Sequence, residues 1–128
     1  MADKNYDQVP LLKKLGVKDG RSLLAIGFED VGFLEGRSCA QTYGAEEVFD
    51  LIFLRSETMA GRDAIEGLIP HLAPNGAIWT VTPKGVKSIS GEDVIMRGRA
   101  AGLNDAKVCS FSETHTARKF MRWKTPLG

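Results

Sequence analysis

The sequence predicts a single α/β domain over residues 1–128, a three-layer sandwich whose mostly parallel sheet ends in an antiparallel hairpin. Two observations support this prediction. Three short apolar runs, RSLLAIG, DLIFLRS and AIWTVTP, alternate with amphipathic helical segments, and the last part of the chain contains two strand-like segments joined by a short turn. Strands that are apolar almost throughout are typical of parallel sheets, because helices bury both of their faces.

Local signals place the elements of the first half. Residues 7–15 form an amphipathic pattern in which Pro10 suits a first helical turn and Gly16 suits the position after the end. RSLLAIG is too short for a helix and predicts the first strand. Residues 28–49 show no regular period; FEDVGFLEG is compatible with one helical turn and RSCAQTYG with a short strand.

The second half of the chain is more regular. DLIFLRS predicts the second core strand, and the following segment has a helical stripe of apolar residues that Pro70 bends or ends. PNG turns the chain into the third strand, AIWTVTP. Ser90 and Asp93 mark the start of another helix and Gly102 marks its end. AKVCSFSE and ARKFMRW predict the two final strands.

Composition excludes several classes of protein. The chain has a net charge of +1, an apolar fraction of 43% and a charged fraction of 26%, so no strong attraction to nucleic acid or to a membrane is expected. No apolar run approaches the roughly 18 residues of a membrane span, and MADKNYDQVP lacks the centre of a signal peptide, so a cytoplasmic location is expected. Cys39 and Cys109 have no CxxC spacing and no nearby histidine, which predicts reduced thiols and no metal site.

Several segments resemble a known fold. LGVKDGRSLLAIG resembles the lead into the first strand of an S-adenosylmethionine-dependent methyltransferase, and DLIFLRS, HLAPNGAIWTVTP and AGLNDAKVCSFSE with ARKFMRW resemble the fourth to seventh strands of that Rossmann-like fold. LLKKLGVKDG, GAIWTVTPKG and GLNDAKVCSFSETHTARKFMRWK are more similar still to a small bacterial family known as a domain of unknown function, number three thousand and fifty-two. The resemblance covers most of residues 9–124 and implies a methyltransferase-like fold without an established activity.

The cofactor site of such a methyltransferase is not complete in this sequence. The fold requires a glycine-rich loop after the first strand and an acidic residue after the next one, which binds the ribose. Here Phe28 follows Gly27 without a G-x-G, and only Glu46 or Glu47 remains as a substitute for the acid. Residues 28–49 are too few for two more strands with their helices, because one crossover takes about a dozen residues. No cofactor is therefore expected, and S-adenosylmethionine belongs only to an alternative.

The carboxyl edge of the predicted sheet collects polar residues, and ligands of open α/β sheets bind at this edge. The ligand-binding candidates lie at the ends of the parallel strands: Gly27, Phe28, Glu29, Asp30, Ser56, Glu57 and Thr82. The catalytic candidates are a cation, an acid and a base that together suit binding of a small anion or transfer of a proton: Lys84, Glu113 and His115.

Each candidate also has a purely structural interpretation. Polar residues are expected where strands meet water, and Glu57 also suits the start of the following helix. Lys84 fits a solvated turn, and His115 fits an exposed position in a hairpin. His71 is expected on the surface near a helix end, and Trp79 is expected in the core because its neighbours in the strand are apolar.

The distribution of charge and the edge of the predicted sheet indicate which macromolecular partners to expect. The basic residues of the last strand fall on both of its faces, which argues against nucleic-acid binding: Arg118, Lys119, Arg122 and Lys124. A shortened sheet leaves an edge strand with unpaired backbone groups. Residues 28–49 are expected either to cover that edge or to pair with a second copy across a two-fold axis, which would give a homodimer.

Three functions remain open at this point. The first is a non-catalytic or small-ligand-binding domain whose ligand lies at the carboxyl edge. The second is an enzyme that acts on a small anionic substrate through Lys84, Glu113 and His115. The third is a minimal S-adenosylmethionine-dependent methyltransferase, either alone or completed by a partner chain.

Overall fold

The computed structural model describes residues 10–18, 20–57, 64–85 and 89–122. In these ranges five strands form one sheet: β1 (Leu23–Ile26), β2 (Phe49–Arg55), β3 (Leu72–Pro83), β4 (Leu103–Ser110) and β5 (His115–Arg122). The helices are α1 (Leu11–Leu15), α2 (Ile65–Leu68) and α3 (Gly91–Ala100). Short 3₁₀ turns span Gly32–Leu34 and Ile69–His71.

The sheet has the predicted mostly parallel topology. The strand order is β1-β2-β3-β5-β4. β1, β2 and β3 pair in parallel, and β5 runs antiparallel to both of its neighbours, β3 and β4. The three apolar runs therefore form one side of the sheet, with β1 at its edge, and the C-terminal hairpin extends the sheet beyond β3.

α1 and the first 3₁₀ turn cover one face of the sheet. Leu15 and Leu34 pack there against Phe53 and Trp79. The indole Nε1 of Trp79 donates to the carbonyl oxygen of Leu15 at 2.9 Å, which satisfies a carbonyl at the end of the helix. Gly16 follows with φ +77°, as predicted for the residue after a helix. Trp79 is fully buried, so its predicted place in the core is confirmed.

α2 and α3 cover the opposite face, which completes the three layers. Isoleucine, leucine and valine side chains of both helices pack there against Phe120. Gly98 lies so close to the Phe120 ring that a Cβ at this position would overlap it. α3 begins as predicted, since Ser90 Oγ accepts from the Asp93 N–H at 3.1 Å and the Ser90 N–H donates to the Asp93 carboxylate at 3.3 Å.

Residues 28–49 cover the free edge of β1. Ala40 forms a single parallel bridge with Leu24. Its N–H donates to the carbonyl of Leu23 at 2.9 Å, and its carbonyl accepts from the Ala25 N–H at 2.9 Å. The short strand expected in RSCAQTYG is thus one bridged residue, and the helical turn expected in FEDVGFLEG is the 3₁₀ turn. Pairing of this edge with a second copy stays a prediction.

β3 begins earlier than predicted. The strand starts at Leu72 rather than at Ala77, because PNG forms an irregularity within the strand instead of a turn before it. Phe49 pairs with Leu72, whereas Leu51 pairs with Ala77, so β3 contains additional residues at this point. Gly76 permits the irregularity, since a Cβ there would lie 2.6 Å from a backbone carbonyl oxygen of β2.

His71 was expected on the surface, and the structure shows that this was wrong. Its side chain is buried. The ring Nδ1 lies 2.8 Å from the carbonyl oxygen of Glu47, and the ring packs against Tyr43 with centroids 4.3 Å apart. Both contacts come from the irregular segment before β2, which therefore covers the α2 side of the sheet as well as its edge.

The other element boundaries shift by a few residues. β4 and β5 both begin earlier than AKVCSFSE and ARKFMRW predicted. Trp123, Lys124 and the first part of the predicted N-terminal helix lie outside the described residues, as do positions 58–63 of the helix expected before β3. Where the structure describes the chain, its helices are too short or too polar to span a membrane.

Candidate functional site

The carboxyl ends of the parallel strands meet at one edge, and the sheet divides the candidate residues there into two groups. Arg55 and His115 each lie two positions from a residue of the core beneath α1, so both lie on the α1 side. Thr82 lies one position from such a residue and therefore faces the α3 side. The edge thus carries two separate sets of polar side chains.

A connected row of polar groups occupies the α1 side. Glu57 Oε2 accepts from Arg55 Nε at 2.8 Å and lies 2.7 Å from His115 Nε2. His115 Nδ1 lies 2.8 Å from Thr114 Oγ1. Because a carboxylate only accepts, Nε2 of the neutral ring carries the proton, and Nδ1 accepts from the Thr114 hydroxyl. The arrangement is a hydroxyl, an imidazole and a carboxylate in series, as in sites that transfer protons.

The imidazole in this row is buried although its two partners are exposed. His115 is 9% exposed, whereas Glu57 and Thr114 both face solvent. The local cause is the hairpin turn, in which Ser112 Oγ accepts from the backbone N–H groups of Thr114 at 3.3 Å and of His115 at 3.1 Å. The turn therefore directs the ring inward, against the exposed position that a hairpin histidine usually has.

Neighbouring charged groups keep the Glu57 carboxyl group ionised, so that it accepts hydrogen bonds. The hydrogen bond from Arg55 lowers the pKa of Glu57 below its ordinary value, and the contact with His115 lowers it further, against a smaller opposing effect of desolvation. A lowered carboxyl pKa means that the charged form is favoured. Glu57 is consequently ionised at neutral pH and able to orient the imidazole.

The three catalytic candidates do not come together as one set. The Lys84 ammonium lies on the α3 side, where Nζ donates to Ser110 Oγ at 2.9 Å. Glu113 is exposed and makes no hydrogen bond or ion pair within the described residues. The carboxylate that meets His115 is that of Glu57 instead. The catalytic roles of Lys84, Glu113 and His115 stay predictions.

The first ligand-binding candidates lie at the end of β1. Gly27 has φ +85°, and a Cβ there would lie 2.6 Å from the carbonyl oxygen of Arg55, so only glycine fits between the two strand ends. The Phe28 ring is buried, with its centroid 5.1 Å from that of Phe33. Its carbonyl accepts from Gln41 Nε2 at 3.3 Å. The β1 end is therefore closely packed.

The remaining candidates near the ends of β1 and β2 differ in exposure and in their hydrogen-bond partners. Glu29 is exposed, and the Asp30 carboxylate accepts from the Gly32 N–H at 2.7 Å, which fixes the start of the 3₁₀ turn. Ser56 is 1% exposed, and its hydroxyl has no hydrogen-bond partner in the part of the chain that the structure describes. The Glu47 carboxylate accepts from the Gly44 N–H at 2.7 Å, so it shapes a turn of the irregular segment.

The residues at the ends of β1 and β2 meet only part of what the binding of S-adenosylmethionine requires. The buried hydroxyl of Ser56 is available to a ligand. However, Phe28 is packed where backbone access is needed, and its carbonyl already has a partner. Gln41 follows the bridged residue Ala40, where a ribose-binding acid is expected. At these two positions the described residues differ from the cofactor site that the resemblance implies.

Metal and thiol chemistry find little support in the described ranges. No cluster of three or more His, Cys, Asp or Glu side chains suited to a metal ion occurs there. Cys39 and Cys109 are free and half-buried. Burial raises the pKa of both thiols, so each favours the neutral, less reactive form.

Two polar residues at this edge were not among the candidates. Thr116 and Arg118 lie beside Thr82 and Lys84 on the α3 side. A signal for them exists in the sequence, because residues two apart on a strand share a face. This pattern indicates a shared site only when the pairing of the two strands is known, and in the structure Thr82 pairs with Thr116 across β3 and β5.

Solved structures of methyltransferases share this fold. The chain is similar to the ribosomal protein L11 methylase of Lactobacillus delbrueckii subsp. bulgaricus, with 16% identity and a TM-score of 0.54 over 79% of this chain and 58% of that one. It is similar to a TehB-like SAM-dependent methyltransferase of Corynebacterium glutamicum ATCC 13032, with 13% identity and a TM-score of 0.59 over 95% and 92%. It is also similar to PigF, in its structure with SAH, with 12% identity and a TM-score of 0.59 over 95% of this chain and 64% of that one.

These similarities define the class of fold. No protein-family model matches the chain, and no curated protein matches it either. The chain spans 58% of the length of the L11 methylase and 64% of that of PigF, but 92% of the TehB-like protein. At these sequence identities the likeness concerns the backbone. The chain has a methyltransferase-like α/β fold.

Proposed function

We propose that this chain is a small-molecule-binding domain on a shortened methyltransferase framework, and that methyl transfer is not its activity. The observation that supports the proposal is the buried His115 ring between the carboxylate of Glu57 and the hydroxyl of Thr114. It lies at the carboxyl edge, where ligands of open α/β sheets bind. We also propose that the chain belongs to the small bacterial family that its sequence resembles.

The row of groups gives a ligand defined contacts. Thr114 is exposed and its hydroxyl gives its proton to His115 Nδ1, so the hydroxyl oxygen is able to accept from a bound molecule. His115 accepts the hydrogen bond of that hydroxyl through Nδ1, and Glu57 holds the ring in place, with Arg55 keeping the carboxylate ionised. The same arrangement supports the enzyme alternative, in which His115 acts as a general base on a small anionic substrate.

The binding site is tested on His115 itself. The chain has two histidines, and His71 is an internal reference because it is buried on the other side of the sheet. Proton NMR of the two imidazoles is recorded during titration with glycine, acetate and malonate. We expect at least one compound to shift the His115 signals and leave those of His71 unchanged, and Glu57→Gln to abolish the shift.

A matched variant controls for general charge effects. Glu113→Gln removes one carboxylate from the same hairpin turn, but that carboxylate has no partner among the described residues. It should leave the titration unchanged. Equal loss in Glu113→Gln and Glu57→Gln, or no response of His115 to any of the three compounds, counts against a ligand site at this position.

A minimal methyltransferase is the second candidate. It is supported by the buried, unpartnered hydroxyl of Ser56 beside the end of β1 and by the fold shared with SAM-dependent methyltransferases. Thermal unfolding with S-adenosylmethionine separates the two candidates. A ligand at 100 times its Kd adds about 2.7 kcal/mol, which raises the Tm of a domain of this size by several degrees. Such a rise, lost in Ser56→Val, supports the second candidate and contradicts the first.

A further inference from the structure

The α3 side of the carboxyl edge contains a cavity of about 390 Å³. It lies between the end of β3, the start of β5 and the beginning of α3. Its polar lining consists of Thr82, Lys84, Ser90, Thr116 and Arg118. The sheet lies between this cavity and the row formed by Glu57 and His115, so the two sites are on opposite faces.

The Arg118 side chain is the main cation of this cavity. Its guanidinium lies directly against the backbone at the start of α3, where a Cβ on Gly91 would overlap it. The side chain is half-buried and has no hydrogen bond or ion pair with any described residue. Burial without a compensating acceptor lowers the pKa of Arg118. A guanidinium has five N–H donors, and leaving them without acceptors in a partly buried place is unfavourable.

Thr82 provides a second unpartnered group. It is 2% exposed and lines the cavity, and its hydroxyl has no partner among the described residues. Thr116 lies opposite it in the register of β3 and β5, so the two hydroxyls stand side by side on one wall. The two hydroxyls therefore offer neighbouring hydrogen-bonding groups to a molecule in the cavity.

Lys84 and the first turn of α3 complete the surroundings. Lys84 Nζ donates one of its three protons to Ser110 Oγ at 2.9 Å and keeps the others for a ligand. The capping box of Ser90 and Asp93 leaves the first two N–H groups of the ten-residue helix unbonded at its positive end. Glu92 and Asp93 are the acidic residues of this turn, and Asp93 already accepts from the Ser90 N–H.

We infer that this cavity binds a phosphate group, either free phosphate or a phosphate monoester. A tetrahedral oxyanion accepts from several directions at once, which matches the guanidinium, the ammonium and the two threonine hydroxyls around it. Cavities of about 300–1,000 Å³ hold whole small molecules, so there is room here for the organic part of a monoester as well.

Isothermal titration calorimetry with inorganic phosphate and with glycerol 3-phosphate tests the site in the intact chain. We expect binding by the unmodified chain, and an affinity at least about tenfold weaker in Arg118→Gln, which corresponds to about 1.4 kcal/mol. Lys119→Gln is the matched control. It removes one positive charge from the next residue of β5, whose ammonium lies over Trp79 on the opposite face, and it should leave the affinity unchanged.

Further variants keep the test decisive. Thr82→Val preserves shape and removes only the hydroxyl, so it should weaken phosphate binding even if Arg118→Gln does not fold. His115 lies on the other face of the sheet, so His115→Asn should not affect phosphate binding, which separates this site from the one proposed above.

Tighter binding of glycerol 3-phosphate than of phosphate identifies a monoester site, and equal binding identifies a site for the free anion. No binding of either, or equal loss in Arg118→Gln and Lys119→Gln, overturns the inference.

Discussion

Glu57 and His115 are 58 residues apart in the sequence, and Oε2 of the first lies 2.7 Å from Nε2 of the second. Glu57 follows β2 and His115 begins β5, two strands that β3 separates in the sheet. The contact therefore connects the central parallel strands to the C-terminal hairpin above the end of β3. It fixes the position of the hairpin turn relative to the carboxyl edge.

This pair gives a pH-dependent contribution to stability. The pKa of Glu57 is lowered in the folded chain, chiefly by Arg55 and then by His115. A carboxyl group of this kind stabilises the fold above its unfolded pKa of about 4.3, and the contribution disappears as the pH falls through the lower folded value. Because Glu57 is half-exposed, we expect Glu57→Gln to lower the free energy of unfolding at pH 7 by only about 0.2–1 kcal/mol.

Urea unfolding at pH 7 and at pH 3 measures this effect. The difference between the unmodified chain and Glu57→Gln should shrink at the lower pH, because the Glu57 carboxylate takes up a proton as the pH falls through its lowered pKa. Glu113→Gln, which removes an exposed carboxylate without a described partner, should show no such pH-dependent difference. A Glu57→Gln effect of the same size at both pH values would contradict an electrostatic origin.

The parts of the fold that the sequence predicted correctly are those set by local interactions. Ser90 and Asp93 are three positions apart, so their mutual capping is visible in the sequence and is present at the start of α3. The apolar runs around Leu24, Ile52 and Ile78 predict buried strands in any context, because they are apolar on both faces. The resemblance of these segments to a methyltransferase then placed the strands correctly in one sheet.

The site could not be predicted to the same extent, because its contacts join distant segments. The sequence shows an acid after β2 and a histidine near a turn, but the length of the hairpin decides that His115 faces Glu57 rather than solvent. His71 was misplaced for a similar reason. Its partners Tyr43 and Glu47 belong to a segment without periodicity, so no pattern indicated that this segment would cover it.

The indole of Trp79 should contribute to stability through its hydrogen bond as well as its volume. Its Nε1 donates to the carbonyl of Leu15 at 2.9 Å in the buried core beneath α1. Trp79→Phe leaves that carbonyl without its partner and leaves a small cavity. We expect a loss of about 1–3 kcal/mol in the free energy of unfolding by urea. A loss below the error of the measurement would show that α1 relaxes to satisfy the carbonyl in another way.

Two helical glycines should respond in opposite directions to the same substitution. A Cβ on Gly98 would overlap the Phe120 ring, whereas a Cβ on Gly67 would meet no atom within 4 Å. Gly98→Ala should therefore destabilise the domain by about 1–3 kcal/mol through overpacking. Gly67→Ala should stabilise it by up to about 1 kcal/mol, because alanine is the better helix former. Thermal unfolding of both variants measures the contrast, and destabilisation of equal size in both would show that packing against Phe120 is not the cause.

Ser56 is the residue at which stability and ligand binding should conflict. It is 1% exposed, and its hydroxyl has no hydrogen-bond partner in the described residues, so in the free protein this group carries an uncompensated desolvation penalty. Ser56→Ala removes the penalty at the cost of one small atom, and we expect the free energy of unfolding in urea to rise by about 1 kcal/mol. A fall of similar size would mean that the hydroxyl does have a partner, most simply an ordered water at the end of β2.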